Sequence, residues 1–215
     1  MPRWPLALCL LAVAAAPVPE PQSYWQGPTD APTPQTLTGG TVIHTQALIT
    51  LLTSPSPPSP TPSLRGALAT RQSRTNRTNA AADPPDAPNQ RAVSHPTIVL
   101  IDVANAPRRP PNLRPGAVWL PLTHRDIPTS VWIPGAGLGA IPPEANTAYR
   151  TRLAALTHNN PSTKIVIYCH ERCWLSWNAA KRAISYGYRN VAWYPDGVEG
   201  WTSAAQPTQI ARPAS

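Results

Sequence analysis

Three apolar runs constrain this fold more than any other feature of the chain: "TIVLIDVA" (97–104), "KIVIYC" (164–169) and the opening of "NVAWYPDGVEGW" (190–201). Each is nearly continuous and rich in β-branched or aromatic residues, which is the pattern of a strand buried on both faces. Helical stretches separate the later ones. "PEANTAYRTRLAALTHN" (143–159) brings Ala148, Leu153, Ala155 and Leu156 near one face, and "WLSWNAAKRAISYGY" (174–188) runs to Gly187, placed to cap a helix C-terminus. Strand, helix, strand, helix, strand implies βαβ crossovers and a parallel sheet flanked by helices, an α/β domain. In open sheets of this kind ligands bind at the carboxyl ends of strands. Cys169 stands at such an end.

The rest of the chain is organised around that block. Its 215 residues give room for one domain with appendages. They include 30 prolines and no phenylalanine. Proline lacks an amide donor and fixes φ, so part of the chain lies outside regular structure. Residues 17–40 read as an extended lead-in. "TVIHTQALITLL" (41–52) reads as a short strand and a short helix, with Ala47, Leu48, Leu51 and Leu52 at helical spacing. Residues 53–96 hold almost no large apolar side chains, and are expected to be a disordered Pro/Ser/Thr-rich insertion within a domain spanning 41–201. "AVWLPL" (117–122) and "TSVWIPG" (129–135) are short apolar segments bounded by Pro and Gly, and 202–215 reads as a loose polar tail. The formal net charge is +8, but the arginines are scattered and no basic cluster interleaves with aromatics. That argues against nucleic-acid binding.

The first 16 residues have the shape of a secretory signal peptide: Arg3, then the apolar "PLALCLLAVAAA", then Pro17. The run is shorter than the ~20 residues a membrane span needs. The expectation is an exported, periplasmic protein that leaves the membrane after cleavage. Loss of Cys9 with the signal leaves Cys169 and Cys173. In an oxidising compartment two thiols this close can pair as a disulfide.

The sequence "YCHERCWLSW" turns a strand into a helix. Amides of residues 170 to 174 can converge on the Cys169 side chain, and the following helix start adds partial positive charge. Both favour thiolate, the nucleophilic form. Arg172 and a protonated His170 add to that field. A buried cysteine is also often only a small hydrophobe, and Cys173 makes a structural disulfide a rival. Haem attachment is disfavoured, because that signature is C-x-x-C-H whereas Trp174 follows Cys173. A metal site of Cys169, His170 and Cys173 lacks a fourth ligand of clear spacing. Trp174, Trp177, Trp119, Trp132 and Trp193 read as core or cleft wall. Asp102 reads as structural, bonding backbone or an arginine. His44, His124 and His158 show no partner pattern.

"IVIYC", a tight loop, "NAAKRAISYGYRNV" and "YPDGVEGW" together resemble the second half of a rhodanese domain. "IVLIDVA" is similar to that family's strand ending in Asp, and "RDIPTSVWIP" to its H-I-P-G-A segment, with Asp126 in the histidine's place. The combination of "YC", three residues, "CWLSWNAAKRA" and "YPDGVEGW", preceded by "DVANAPRRPPNL", further resembles exported proteins known as PQQ-dependent catabolism-associated CXXCW motif proteins. The resemblance implies a persulfide or thiol-redox centre at Cys169, assisted by Arg172, with Cys173 as a resolving thiol. It implies binding roles for His170, Glu171 and Trp174, and structural roles for Asp102, Gly197 and Trp201. It implies no cofactor and no metal in this domain. Partners would be a sulfur donor or thiol substrate, and a periplasmic quinoprotein dehydrogenase or cytochrome c. The loop departs from C-x-x-G-x-R-[ST]: Arg172 stands where Gly is usual and Trp174 where Arg is usual. A second reading is a non-catalytic module that uses the same fold to bind such a partner.

Overall fold

The computed structural model describes residues 17–54 and 98–213. The proposed signal peptide and nearly all of the 53–96 insertion lie outside the described residues. The described chain runs β1 (Thr41–Val42), α1 (Thr45–Thr53), β2 (Val99–Asp102), β3 (Arg125–Asp126), β4 (Val131–Trp132), α2 (Pro143–Leu156), β5 (Ile165–Tyr168), α3 (Trp174–Ser185), β6 (Val191–Tyr194), α4 (Gly197–Ser203) and β7 (Gln209–Ile210). A five-stranded sheet has the order β1-β6-β5-β2-β4, and every pairing in it is parallel. The three runs read as buried strands are its centre, and all their strand residues are buried.

Strand side chains alternate between faces, and that alternation divides the core. Val99, Ile101, Ile165, Ile167, Val191 and Trp193 pack with α2 and α3 residues such as Tyr149, Leu153, Trp177 and Ala180 on one face. Leu100, Val166, Tyr168, Ala192 and Tyr194 pack with Leu48 of α1, Trp201 of α4 and Ile127 on the other. Helices on both faces are what a parallel sheet needs to bury its two surfaces. The register sets Asp102, Tyr168 and Tyr194 level. The chain therefore leaves three neighbouring strands at the same height, at Val103, Cys169 and Pro195.

Four sequence readings need correction. In α2 the buried positions are Tyr149 and Leu153, so the face is carried by Tyr149 rather than Ala148. The turn after β6 is helix α4, with the expected structural Gly197 as its first residue. The tail is anchored: β7 pairs antiparallel with β3 through Arg125↔Ile210 and Asp126↔Gln209. The lead-in is extended, but it packs on α3. Trp177 Nε1 donates to Thr36 O (3.1 Å), Lys181 Nζ to Pro21 O (2.7 Å), and Trp25 N to Asn178 Oδ1 (2.8 Å). Arg182, buried in α3, donates to the carbonyls of Ala136, Leu138 and Gly139 and sits over the Tyr24 ring. These bonds satisfy backbone groups that an irregular segment would otherwise leave unpaired against a protein surface.

Candidate active site

The site begins where β5 ends. Tyr168 is fixed by its hydroxyl, which accepts from Ile127 N (2.9 Å) and bonds Ser130 Oγ (2.7 Å). The next residue, Cys169, turns into the α3 face of the sheet and is 1% exposed. Its carbonyl accepts from Val198 N (3.1 Å), which ties the cysteine to the start of α4. Gly197 makes that approach possible. It adopts φ +63°, and a Cβ on it would lie 2.3 Å from the His170 carbonyl carbon. Only glycine fits both the left-handed conformation and the gap.

Arg172 reverses the chain with φ +54°. The left-handed turn survives where the familiar loop pattern has glycine, so the arginine bears a conformational cost of about 1–2 kcal/mol. Cys173 then occupies the N-cap of α3 and is 8% exposed. Both cysteines are free thiols. Both line one cleft, and each governs the other's ionisation.

This coupling divides the pair electrostatically. Cys173 is held down at about 7, first by the Cys169 thiol, then by the Leu175 and His170 amides and the His170 charge, against the opposing effect of burial. The Leu175 amide favours the thiolate without closing a formal cap hydrogen bond. Cys169 is pushed well up, first by burial and then by Cys173; the Asp102 charge adds to this. The two ionisations are coupled, burial favouring the thiol form of Cys169 and the start of α3 favouring the thiolate of Cys173. The lowered thiol is that of Cys173, whereas the sequence expectation put the thiolate on Cys169. A thiolate at a helix N-terminus is the favourable arrangement, and here Cys173 holds that position.

The expected cradle of amides from 170 to 174 is only partly present. Glu171 N donates to Glu199 Oε2 (2.8 Å), and Trp174 N donates to Thr29 O (2.9 Å). The lead-in causes the second diversion. Ala31 N donates to Arg172 O (3.2 Å), Asp30 bridges to Cys173 in antiparallel fashion, and Trp25 stacks on Trp174 at 4.4 Å and 14°. A cleft of about 320 Å³ remains over the sulfurs, lined among others by Asp30, Asn105, His170, Glu171 and both cysteines.

The other expected site residues separate. His170 stands beside the pair with Nδ1 bonded to Glu199 Oε1 (2.8 Å). Glu171 lines the cleft. Arg172 does not; it lines an adjoining cleft of about 700 Å³ with His44, Asp196 and Glu199. Trp174 is core rather than ligand contact, 1% exposed with its indole N–H unpartnered among the described residues. Trp201 is buried and donates Nε1 to Pro207 O (2.7 Å).

Sequence reasoning missed two histidine pairs. Asp102 accepts from Ala104 N (2.8 Å) through Oδ1 and pairs with His124 Nε2 (2.7 Å) through Oδ2, both side chains being well buried. His124 in turn packs on Trp132 and meets the His170 ring edge-on at 6.1 Å. His44 Nδ1 pairs with Asp196 Oδ1 (2.7 Å). The pairs span 22 and 152 positions, so no local pattern betrays them. Asp126, in the place of the motif histidine, is buried beside Asp102 and His124; desolvation raises its carboxyl. Among the described residues no group of three His, Cys, Asp or Glu side chains is arranged to hold a metal ion.

A family model described as "Rhodanese-like domain" matches residues 89–204. Among solved structures, the chain is similar to a thiosulfate sulfurtransferase from Pseudomonas aeruginosa, with 22% identity over 54% of this chain and a TM-score of 0.34. It spans only 17% of that protein's length. It is also similar to an uncharacterized protein from Saccharomyces cerevisiae, with 24% identity over 51% of this chain and 78% of the other, at a TM-score of 0.30. No curated protein matches the chain.

Proposed function

Because the chain belongs to the rhodanese-like domain family, we propose that it is a sulfur-transfer or thiol-redox protein whose working unit is the Cys169–Cys173 pair. The observation that carries this reading is that two free cysteines at the strand-to-helix turn line one open cleft, with the Cys173 thiol lowered by its neighbours. A thiolate fraction at neutral pH and an adjacent second thiol are the two requirements of persulfide and disulfide chemistry.

The Cys173 thiolate attacks the outer sulfur of a sulfane donor such as thiosulfate. A sulfur–sulfur bond forms, the donor's own S–S bond breaks, and sulfite leaves with the bonding pair. Two fates follow. An acceptor thiolate takes the outer sulfur and regenerates Cys173. Alternatively, Cys169 loses its proton and attacks the Cys173 inner sulfur, closing the bridge and expelling sulfide, and an external dithiol then reduces the disulfide by two electrons. The Cys169 proton leaves to solvent through the cleft, and His170, oriented by Glu199, stands at its mouth.

Export belongs to the same proposal, on the signal-like character of residues 1–16. So does association with periplasmic PQQ-dependent alcohol oxidation, on the resemblance of "CWLSWNAAKRA" and its surroundings. The test is intact mass after incubation of the reduced protein with thiosulfate. One sulfur should add to Cys169→Ala and none to Cys173→Ala, while the wild type gains one sulfur or, where the bridge closes, loses two hydrogens. No added sulfur with any sulfane donor would exclude transfer.

The alternative, a non-catalytic accessory module for a quinoprotein dehydrogenase or cytochrome c, is favoured by one observation. The lead-in and Glu199 already occupy two loop amides that an anion would need. Under that reading Cys173→Ser leaves alcohol-dependent growth intact.

A further inference from the structure

The loop from β2 to β3 carries a feature that the cysteine chemistry does not use. Val118, Leu120 and Leu122 are 85%, 83% and 88% exposed, and only one other large apolar side chain, Ile210, is comparably open among the described residues. Single exposed apolar residues are ordinary. Three at period two on one short segment are not, because alternate residues of an extended chain share a face.

The backbone of this segment is also unused. Residues 118–123 make no backbone hydrogen bond to any described residue. In an extended strand the N–H and C=O of alternate residues point to the same edge. Val118, Leu120 and Leu122 therefore present one edge with every donor and acceptor intact. On the opposite edge Pro121 removes a donor. The segment forms no strand in the free chain; extended against a partner it would form a strand edge with its apolar row alongside.

The approach to this segment is braced. Arg109 spans it, donating to Leu113 O (3.2 Å), Arg114 O (2.8 Å) and Ala117 O (3.3 Å). Four arginines (108, 109, 114 and 125) and no carboxylate fall between Asp102 and Asp126. Among the described residues no carboxylate pairs with any of them. Both ends of the loop meet the site: Asn105 lines the cysteine cleft, and His124 binds Asp102.

We propose that residues 117–122 dock a partner protein, which adds an extended strand of alternating apolar and acidic residues along the 118/120/122 edge. Main-chain pairing supplies register, the apolar row supplies contact area, and Arg108 and Arg114, whose guanidinium groups make no hydrogen bond among the described residues, select the acidic side chains. A lipid surface fits less well, since the unpaired backbone would enter it without partners. The docked strand would lie beside the cysteine cleft, but the proposal does not depend on the chemistry there.

The test is selection of a random octapeptide library on the purified full chain, followed by hydrogen exchange with a synthetic peptide from the enriched pool. The pool should enrich sequences alternating apolar residues with Asp or Glu. Leu120→Ser should weaken peptide binding by roughly tenfold or more, whereas Ile210→Ser and the double variant Cys169→Ser/Cys173→Ser should not. Bound peptide should slow exchange at the amides of 118, 120 and 122 and leave 119 and 123 unchanged. A pool without acidic enrichment, or binding indifferent to Leu120→Ser, overturns the proposal. So does slow exchange at the three amides in the free monomer, which would mean that the chain's own residues cover the edge. Dimerisation abolished by Leu120→Ser, or sedimentation with phosphatidylglycerol vesicles abolished by it, assigns the face to another occupant and overturns it equally.

Discussion

Replacing Gly197 by alanine tests how tightly the cysteine loop is braced from behind. The added Cβ would lie 2.3 Å from the His170 carbonyl carbon, 2.4 Å from Glu171 N and 2.8 Å from His170 Cα. Carbon atoms rest at about 3.5–4.0 Å, so the loop must retreat by more than an ångström, and the obstructing atoms are backbone. Overpacking of this kind costs about 1–3 kcal/mol, and the left-handed conformation adds about 1–2 kcal/mol for a residue with a Cβ. The sum is about 2–5 kcal/mol. Gly187→Ala is the internal control: its φ is +98°, and nothing lies within 4 Å of the ideal Cβ. It bears the conformational cost alone. Any gain from stiffening the unfolded chain is the same for both variants and cancels. Urea unfolding followed by tryptophan fluorescence should place Gly197→Ala about 1–3 kcal/mol below Gly187→Ala, and the displaced loop should expose Cys169 to alkylation. Equal stability of the two variants would refute the claim that α4 is wedged against the cysteine loop.

Trp25→Ala removes the ring stacked on Trp174 and loosens the lead-in. A loss of about 2 kcal/mol is expected from the ring's burial and stacking, with faster alkylation of Cys173; unchanged stability would mean that the lead-in is only draped over α3. His124→Ala leaves Asp102 Oδ2 buried without its partner. It should cost about 1–3 kcal/mol in urea unfolding, more than the exposed His44→Ala. The lowered Cys173 thiol means that the unfolded chain binds more protons than the folded one between about pH 7 and the ordinary thiol value. Stability from this group is therefore complete above that window and lost as pH falls through about 7. The wild type should gain on the order of 1–3 kcal/mol across the window, and Cys173→Ser should not.

Strands β1, β2, β5 and β6, helices α1 and α3 and the position of Cys169 were legible because each is encoded locally, by apolar runs, helical spacing and a glycine at the α3 terminus. Helix α4 was not: it has seven residues, two of them glycine, and local propensity reads such a stretch as a turn. Its formation rests on tertiary contacts, through Trp201 in the core and Gly197 against the loop. The lead-in was legible as extended but not as packed. Its composition of Pro, Thr and Gln signals a lack of regular structure, whereas Tyr24 and Trp25 are the residues that anchor it on α3. At the site, sequence placed the thiolate by strand position. Depth, which raises the Cys169 thiol, and the N-terminus of α3, which lowers that of Cys173, depend on how the loop closes. The His124–Asp102 pair depends on the β2–β3 loop returning to its origin, which no spacing rule captures.

In the proposed chemistry Cys173 ionises first and the buried Cys169 keeps its proton. Iodoacetamide labelling across pH, resolved by peptide mass mapping, tests it directly. Modification of Cys173 should rise with a midpoint near 7, and Cys169 should stay unmodified until the pair is disrupted. Labelling of Cys169 first, or of both sulfurs together only in the ordinary thiol range of about 8.5, would contradict it.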